Sequence, residues 1–205
     1  ATGEVRHQIW VVRDGDLIRL LSTAFEALPA LYVADGHHRS AAASRVAAAR
    51  RAANPAHTGE EAYNYFLAVI FPHDQMRIMD YNRLVTDLHG LDRDEFLRRV
   101  AVPFQVEPSP TPVKPAKATE FGMYLDGAWY RLTLDERRIP WDDPVGRLDV
   151  SLLQDNLIEP ILGIVDPRRD ERINFVGGIR GLEGLVKPVD EGCYRVAFSL
   201  FPTRM

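Results

Sequence analysis

Cysteine is nearly missing from this chain: a single residue, Cys193, stands among 205. One thiol excludes an intrachain disulfide and any metal site built on cysteines. It opens the alternating run Cys193-Tyr194-Arg195-Val196-Ala197-Phe198, which predicts an ordinary strand thiol. No apolar run approaches the roughly 18 residues of a membrane span, and no signal-peptide pattern opens the chain. A reduced, cytoplasmic setting without a membrane partner is the default expectation. Excess positive charge is lacking too. Lys and Arg number 25 against 29 Asp and Glu, for a net charge of −4, whereas a nucleic-acid footprint usually shows a basic excess or a basic face. Arg45, Arg50 and Arg51 form a local exception.

Familiar catalytic signatures are absent as well. There is no Gly-x-Ser-x-Gly elbow, no His-Glu-x-x-His helix and no paired zinc spacing, so hydrolase and zinc-enzyme readings have no motif behind them. Gly177-Gly178-Ile179-Arg180-Gly181 lacks the Lys-Ser/Thr ending of a Walker loop and reads as a flexible connection.

What is present is ordinary globular composition, 46% hydrophobic and 26% charged, with length enough for one large domain or two small ones. Residues 8–13 and 31–34 are apolar and β-rich enough for strands. Between them, Asp14 or Asp16 caps a helix from Leu17 to Leu28 that Pro29 closes. From His37 to Ala53 an Ala-rich run without Pro or Gly predicts a helix, ended by Asn54-Pro55. Tyr65 to Phe71 reads as a fully buried strand and Met76 to Asp80 as a second. Asp92 caps a helix bearing Phe96, Leu97 and Val100, with Glu95 three positions on. Residues 107–118 hold four of the 14 prolines and predict a loop or linker, since Pro removes backbone donors. Asp126-Gly127 predicts a type I′ hairpin between Phe121–Leu125 and Trp129–Leu134. Asp149 or Ser151 caps a helix through Ile158, and Ile173–Val176 and Tyr194–Phe201 complete the strands. Strands alternating with helices, plus a hairpin, indicate a mixed α/β sheet.

The stretch with most chemistry is Leu31 to Arg45. An apolar strand ends at Asp35, Gly36 permits a tight turn, and a helix starts at His37 or His38. A helix N-terminus offers unpaired N–H groups and the positive end of the dipole, which suits phosphate. The dipole alone contributes only about 0.3–2 kcal/mol. Two imidazoles and the Arg39 guanidinium would add charge-assisted hydrogen bonds, and Asp35 could hold Mg²⁺ or orient a histidine. The structural alternative makes Asp35 an N-cap and the histidines a polar first turn. Adjacent histidines diverge in direction, which argues against a metal site from that pair alone. Of the remaining polar residues, Asp87 with His89 reads as a solvated loop pair, and Asp170-Glu171-Arg172 as a charged turn.

Arg6-His7-Gln8-Ile9-Trp10 followed by Leu31-Tyr32-Val33-Ala34-Asp35-Gly36-His37-His38-Arg39 resembles the bacterial and archaeal domain-of-unknown-function family 1015. The stretches Tyr81 to Leu91, Leu153 to Gly163 and Val196 to Met205 resemble its later pieces. Members are about twice this length, so the resemblance implies an internal fragment lacking an N-terminal part and a short C-terminal segment. It also implies a core like that of ParB-type (ParB/sulfiredoxin-like) nucleotide-binding domains and of free-serine kinases, whose similar turn binds phosphate, with a further sheet-containing segment. Residues 1–106 would form the phosphate-binding core, 107–118 the linker or loop, and 119–205 a mixed α/β segment packing on that core. Carried over, Asp35, His37 and His38 become catalytic candidates, and Gly36, His38 and Arg39 phosphate ligands. Asp35 becomes a possible Mg²⁺ ligand, and His7, Trp10 and Arg83 possible pocket residues. The implied partner is a phosphorylated metabolite or nucleotide, with ADP or ATP as substrate of a serine-like small-molecule kinase. No equivalent of the kinase's catalytic acid can be placed, which leaves open a nucleotide-binding regulatory module without turnover.

Overall fold

Local signals account for the helices. The computed structural model describes residue 6 and residues 8–203, and the chain divides into two units, 1–70 and 71–205.

In the first unit, α1 (Gly15–Glu26) starts where Asp14 accepts from the backbone N–H of Asp16 at 3.0 Å and of Leu17 at 2.9 Å. This is a regular side-chain N-cap. Helix α2 (His37–Ala53) has the predicted bounds. The strands expected at 8–13, 31–34 and 65–71 are not present as strands; none of these segments joins a ladder. Nor is 65–71 buried, for Leu67 is 94% exposed. Apolar β-branched sequence favours extended backbone, but a strand exists only where a neighbouring backbone answers its N–H and C=O groups.

The second unit is a six-stranded antiparallel sheet of order β2-β4-β3-β6-β1-β5. Its strands are β1 (Tyr81–Val85), β2 (Phe104–Ser109), β3 (Glu120–Leu125), β4 (Ala128–Leu134), β5 (Ile173–Gly177) and β6 (Val196–Leu200). Strand alternation sends Val85, Phe121, Met123, Leu132 and Phe198 to one face. There they pack with Phe96 and Val100 of α3 (Arg93–Val100) and with Leu152 and Leu153 of α4 (Asp149–Leu153). Leu84, Tyr124, Trp129, Val176 and Ala197 go to the other face, under Leu185 of α5 (Glu183–Asp190). A sheet covered on both sides between helices is the mixed α/β class that the element order indicates. Asp126 (φ 50°) and Gly127 (φ 77°) make the β3–β4 turn, and Asp92 accepts from the Glu95 N–H at 2.8 Å to start α3.

Several expectations need correction. The strand placed at 76–80 forms instead at β1, immediately after it. The proline stretch 107–118 begins inside β2, with Pro108 opposite Tyr130. An edge strand bonds on one side only, so a missing N–H is tolerated there. Cys193 is exposed in the turn before β6 rather than in a strand. Leu148, not Asp149, is the N-cap of α4. Asp149 accepts from the Thr119 N–H at 2.8 Å, and burial pushes its carboxyl above the usual range. The chain after α4 continues as a single π-helical stretch, Gln154–Ile158. Residues 178–180 form one tight helical turn leading to α5, which the sequence did not announce because Gly184 and Pro188 lie inside it. Arg172 does more than complete a charged turn. It grips Asp170 at 2.8 Å and the carbonyls of Leu162 and Gly163 at 3.0 and 3.2 Å, tying two loops together.

Candidate functional site

The five residues Asp35 to Arg39 form the entry to α2. Gly36 takes a left-handed conformation (φ 80°, ψ 24°) and stands as the N-cap, with no side-chain hydrogen bond closing the helix end. A residue with a side chain is strained at such a φ, which explains a glycine at this point. The first helical bond runs from Ser40 N–H to Gly36 C=O at 2.9 Å. Among the described residues, the N–H groups of His37, His38 and Arg39 therefore have no acceptor, as the geometry of a helix start requires unless a cap intervenes.

The alternative in which Asp35 is the cap does not hold, since its carboxylate takes no hydrogen bond from the turn. Asp35, His37, His38 and Arg39 are all exposed, and Gly36 is half-buried. Successive helical residues point about 100° apart, so both imidazoles and the guanidinium fan around the helix start. Helix α2 carries no acidic residue, while Arg39, Arg45, Arg50 and Arg51 lie along it. Its N-terminal end thus joins free donors, the positive dipole end and an uncompensated guanidinium.

The other residues singled out from the sequence fare differently. His7 lies outside the described residues. Trp10 is 76% exposed, and among the described residues no ring contact or hydrogen bond links it to the turn. Arg83 belongs to the second unit, on β1. Asp87 and His89 form the solvated loop pair, with the His89 N–H donating to Asp87 at 2.8 Å. No group of three or more His, Cys, Asp or Glu able to hold a metal ion occurs among the described residues. Asp35 is the lone carboxylate of the turn.

One polar cluster escaped the sequence reading. Beyond α2, Glu61 accepts from the Thr58 N–H at 2.7 Å, the Gly59 N–H at 3.0 Å and the Asn64 amide at 3.1 Å. His57 Nδ1 lies 3.0 Å from Glu61 Oε2 and 2.8 Å from the Tyr63 hydroxyl. The donors, led by the Thr58 backbone, hold the Glu61 carboxyl down at about 2. An open cleft of about 600 Å³, lined by Ala47, Ala48, Arg51, Ala52 and Asn64, lies beside the C-terminal half of α2. At about 1.5 Å rise per residue, it begins some 15 Å along the helix from His37. This cluster fixes a loop; no short motif in the sequence marks it.

Among the described residues, no helix is long and apolar enough to cross a membrane. A family model described as "Protein of unknown function (DUF1015)" matches residues 1–151, and the chain belongs to that family. No curated protein and no solved structure matches the chain.

Proposed function

We propose that this DUF1015 member binds a phosphorylated small molecule or nucleotide at the start of α2. The observation that carries the reading is a helix beginning on an uncapped left-handed Gly36, with three unanswered N–H groups and with His37, His38 and Arg39 around them. A phosphate there accepts from the backbone, gains the dipole term and pairs with the Arg39 fork. Mg²⁺ commonly takes one protein carboxylate together with substrate phosphates. Asp35 fits that use, with the ion carried in on the nucleotide, where it would neutralise phosphate charge.

As a ParB- or free-serine-kinase-like phosphotransferase, the turn would work by positioning and charge. Arg39 and one histidine would stabilise the transferred phosphoryl, and Asp35 would serve as base or metal ligand. A second reading is a nucleotide-binding regulatory module without turnover. It is favoured by Asp35 being the only carboxylate of the turn, since a kinase needs an acid both for the metal and for the acceptor hydroxyl.

A thermal-shift panel of ATP, ADP, CTP, phosphoserine and serine, with and without Mg²⁺, tests binding. A ligand at 100 times its Kd adds about 2.7 kcal/mol, and the shift is expected to vanish in Arg39→Ala. Equal shifts in native and Arg39→Ala proteins would sink the proposal. Release of labelled phosphate to serine then separates the kinase from the regulatory reading.

A further inference from the structure

Strand β1 carries an arginine that no acid among the described residues answers. Tyr81, Arg83 and Val85 alternate onto the sheet face covered by α3 and α4; Val85 is sealed in the core, whereas Tyr81 at the open end is 53% exposed. Across the ladder, Arg83 stands opposite Phe175 on the edge strand β5. The Tyr81 and Phe175 rings lie 12° from parallel with centroids 5.3 Å apart. Arg83 Cζ sits 4.4 Å from the Phe175 centroid and 5.2 Å from that of Tyr81. Its Nη1 donates to the Tyr81 carbonyl at 2.6 Å. Rings and carbonyl together hold the guanidinium plane in place.

The carboxylate nearest in sequence is turned away. Asp80 and Asn82 alternate to the opposite face, where Asp80 accepts from the Asn82 amide at 2.7 Å and crowds Gly178. Among the described residues Arg83 has no ion pair, and its Nε and Nη2 have no acceptor. Among the described residues no buried side-chain polar atom is left without a partner, so those two nitrogens reach solvent. Burial pulls the Arg83 guanidinium down to about 10, which leaves it charged at neutral pH. A pinned, charged fork with two free donors side by side matches a bidentate oxyanion.

We propose that Arg83, framed by Tyr81 and Phe175, is an oxyanion-binding site at the β1–β5 end of the second unit, taking the phosphate or carboxylate group of a small molecule. It rests on the second unit alone and stands whether or not the α2 turn binds phosphate.

The test follows the arginine Nε–Hε signals of the full chain by NMR during titration with inorganic phosphate, with acetate as the carboxylate arm and chloride at matched ionic strength as blank. Arg83→Gln assigns the signal. A saturable shift of Arg83 Nε–Hε with phosphate or acetate, retained in Arg39→Ala, is expected. Arg83→Lys keeps the charge but loses the fork, and should weaken the response of the Tyr81 and Phe175 amides about tenfold, the worth of one charge-assisted hydrogen bond. An Arg83 signal that moves no more than in chloride overturns the proposal, as does an Arg83→Lys protein that titrates like the native one.

Discussion

Replacing Gly122 by alanine should destabilise the second unit by about 2–6 kcal/mol, through a collision between β3 and the chain crossing it. Gly122 stands opposite Ser199 on β6 and Arg131 on β4. An added Cβ would lie 2.5 Å from the Val113 carbonyl oxygen and closer still to Ser199 Oγ. Those two atoms are joined by a buried hydrogen bond of 2.7 Å. Overpacking a tight site costs about 1–3 kcal/mol. Driving the hydroxyl away leaves a buried acceptor unpaired, for about 1–3 kcal/mol more. Urea unfolding followed by Trp129 emission is the assay, because Trp129 is 6% exposed while Trp10 and Trp141 are 76% and 64% exposed. With a slope of about 2 kcal/mol/M, the midpoint should fall by about 1–3 M. Ser199→Ala alone should cost about 1 kcal/mol. Combined with Gly122→Ala it removes one of the colliding atoms, so the double variant should be about 1 kcal/mol better than the sum. A Gly122→Ala loss under about 0.5 kcal/mol, or strict additivity, would refute the reasoning.

Asp92→Ala should cost about 1 kcal/mol by uncapping α3, read as a lower urea midpoint with unchanged slope; no change would mean that the 2.8 Å bond contributes nothing net. Tyr124 offers a pH test. Burial, helped by the Asp190 carboxylate that accepts its hydroxyl at 2.7 Å, raises the phenol to about 12. Its folded pKa therefore exceeds the unfolded value of about 10. Its contribution is full below pH 10 and is lost as pH rises through about 12. Tyr124→Phe should flatten that alkaline decline in urea midpoints, and an unchanged slope would contradict the assignment.

The features legible in the sequence are those fixed within a few residues. Asp14 and Asp92 announced helix starts because a cap is a bond across two or three positions. The Ala-rich run from His37 to Ala53 and the Asp126-Gly127 turn have similarly local causes. Residues 8–13, 31–34 and 65–71 have strand-like sequence yet join no ladder, because pairing is a property of two segments and sequence pattern reports only one. Pro108 hid a strand because its position at a sheet edge could not be known in advance. At the candidate site, the order of Asp35, Gly36 and the basic residues was readable, but the missing cap was not. The sequence marks Arg83 as a possible pocket residue but not its surroundings; its ring partner Phe175 comes from a distant strand, and only the β1–β5 register joins them.

The most direct measurement is a calorimetric titration of ADP with Mg²⁺ into the native chain and into Arg39→Ala and Arg83→Lys proteins. The account predicts ADP binding at the start of α2 that weakens at least about tenfold in Arg39→Ala and persists in Arg83→Lys. Binding of equal strength in native and Arg39→Ala proteins, or no binding of ADP or of any ligand in the thermal-shift panel, would contradict a phosphate site at that turn.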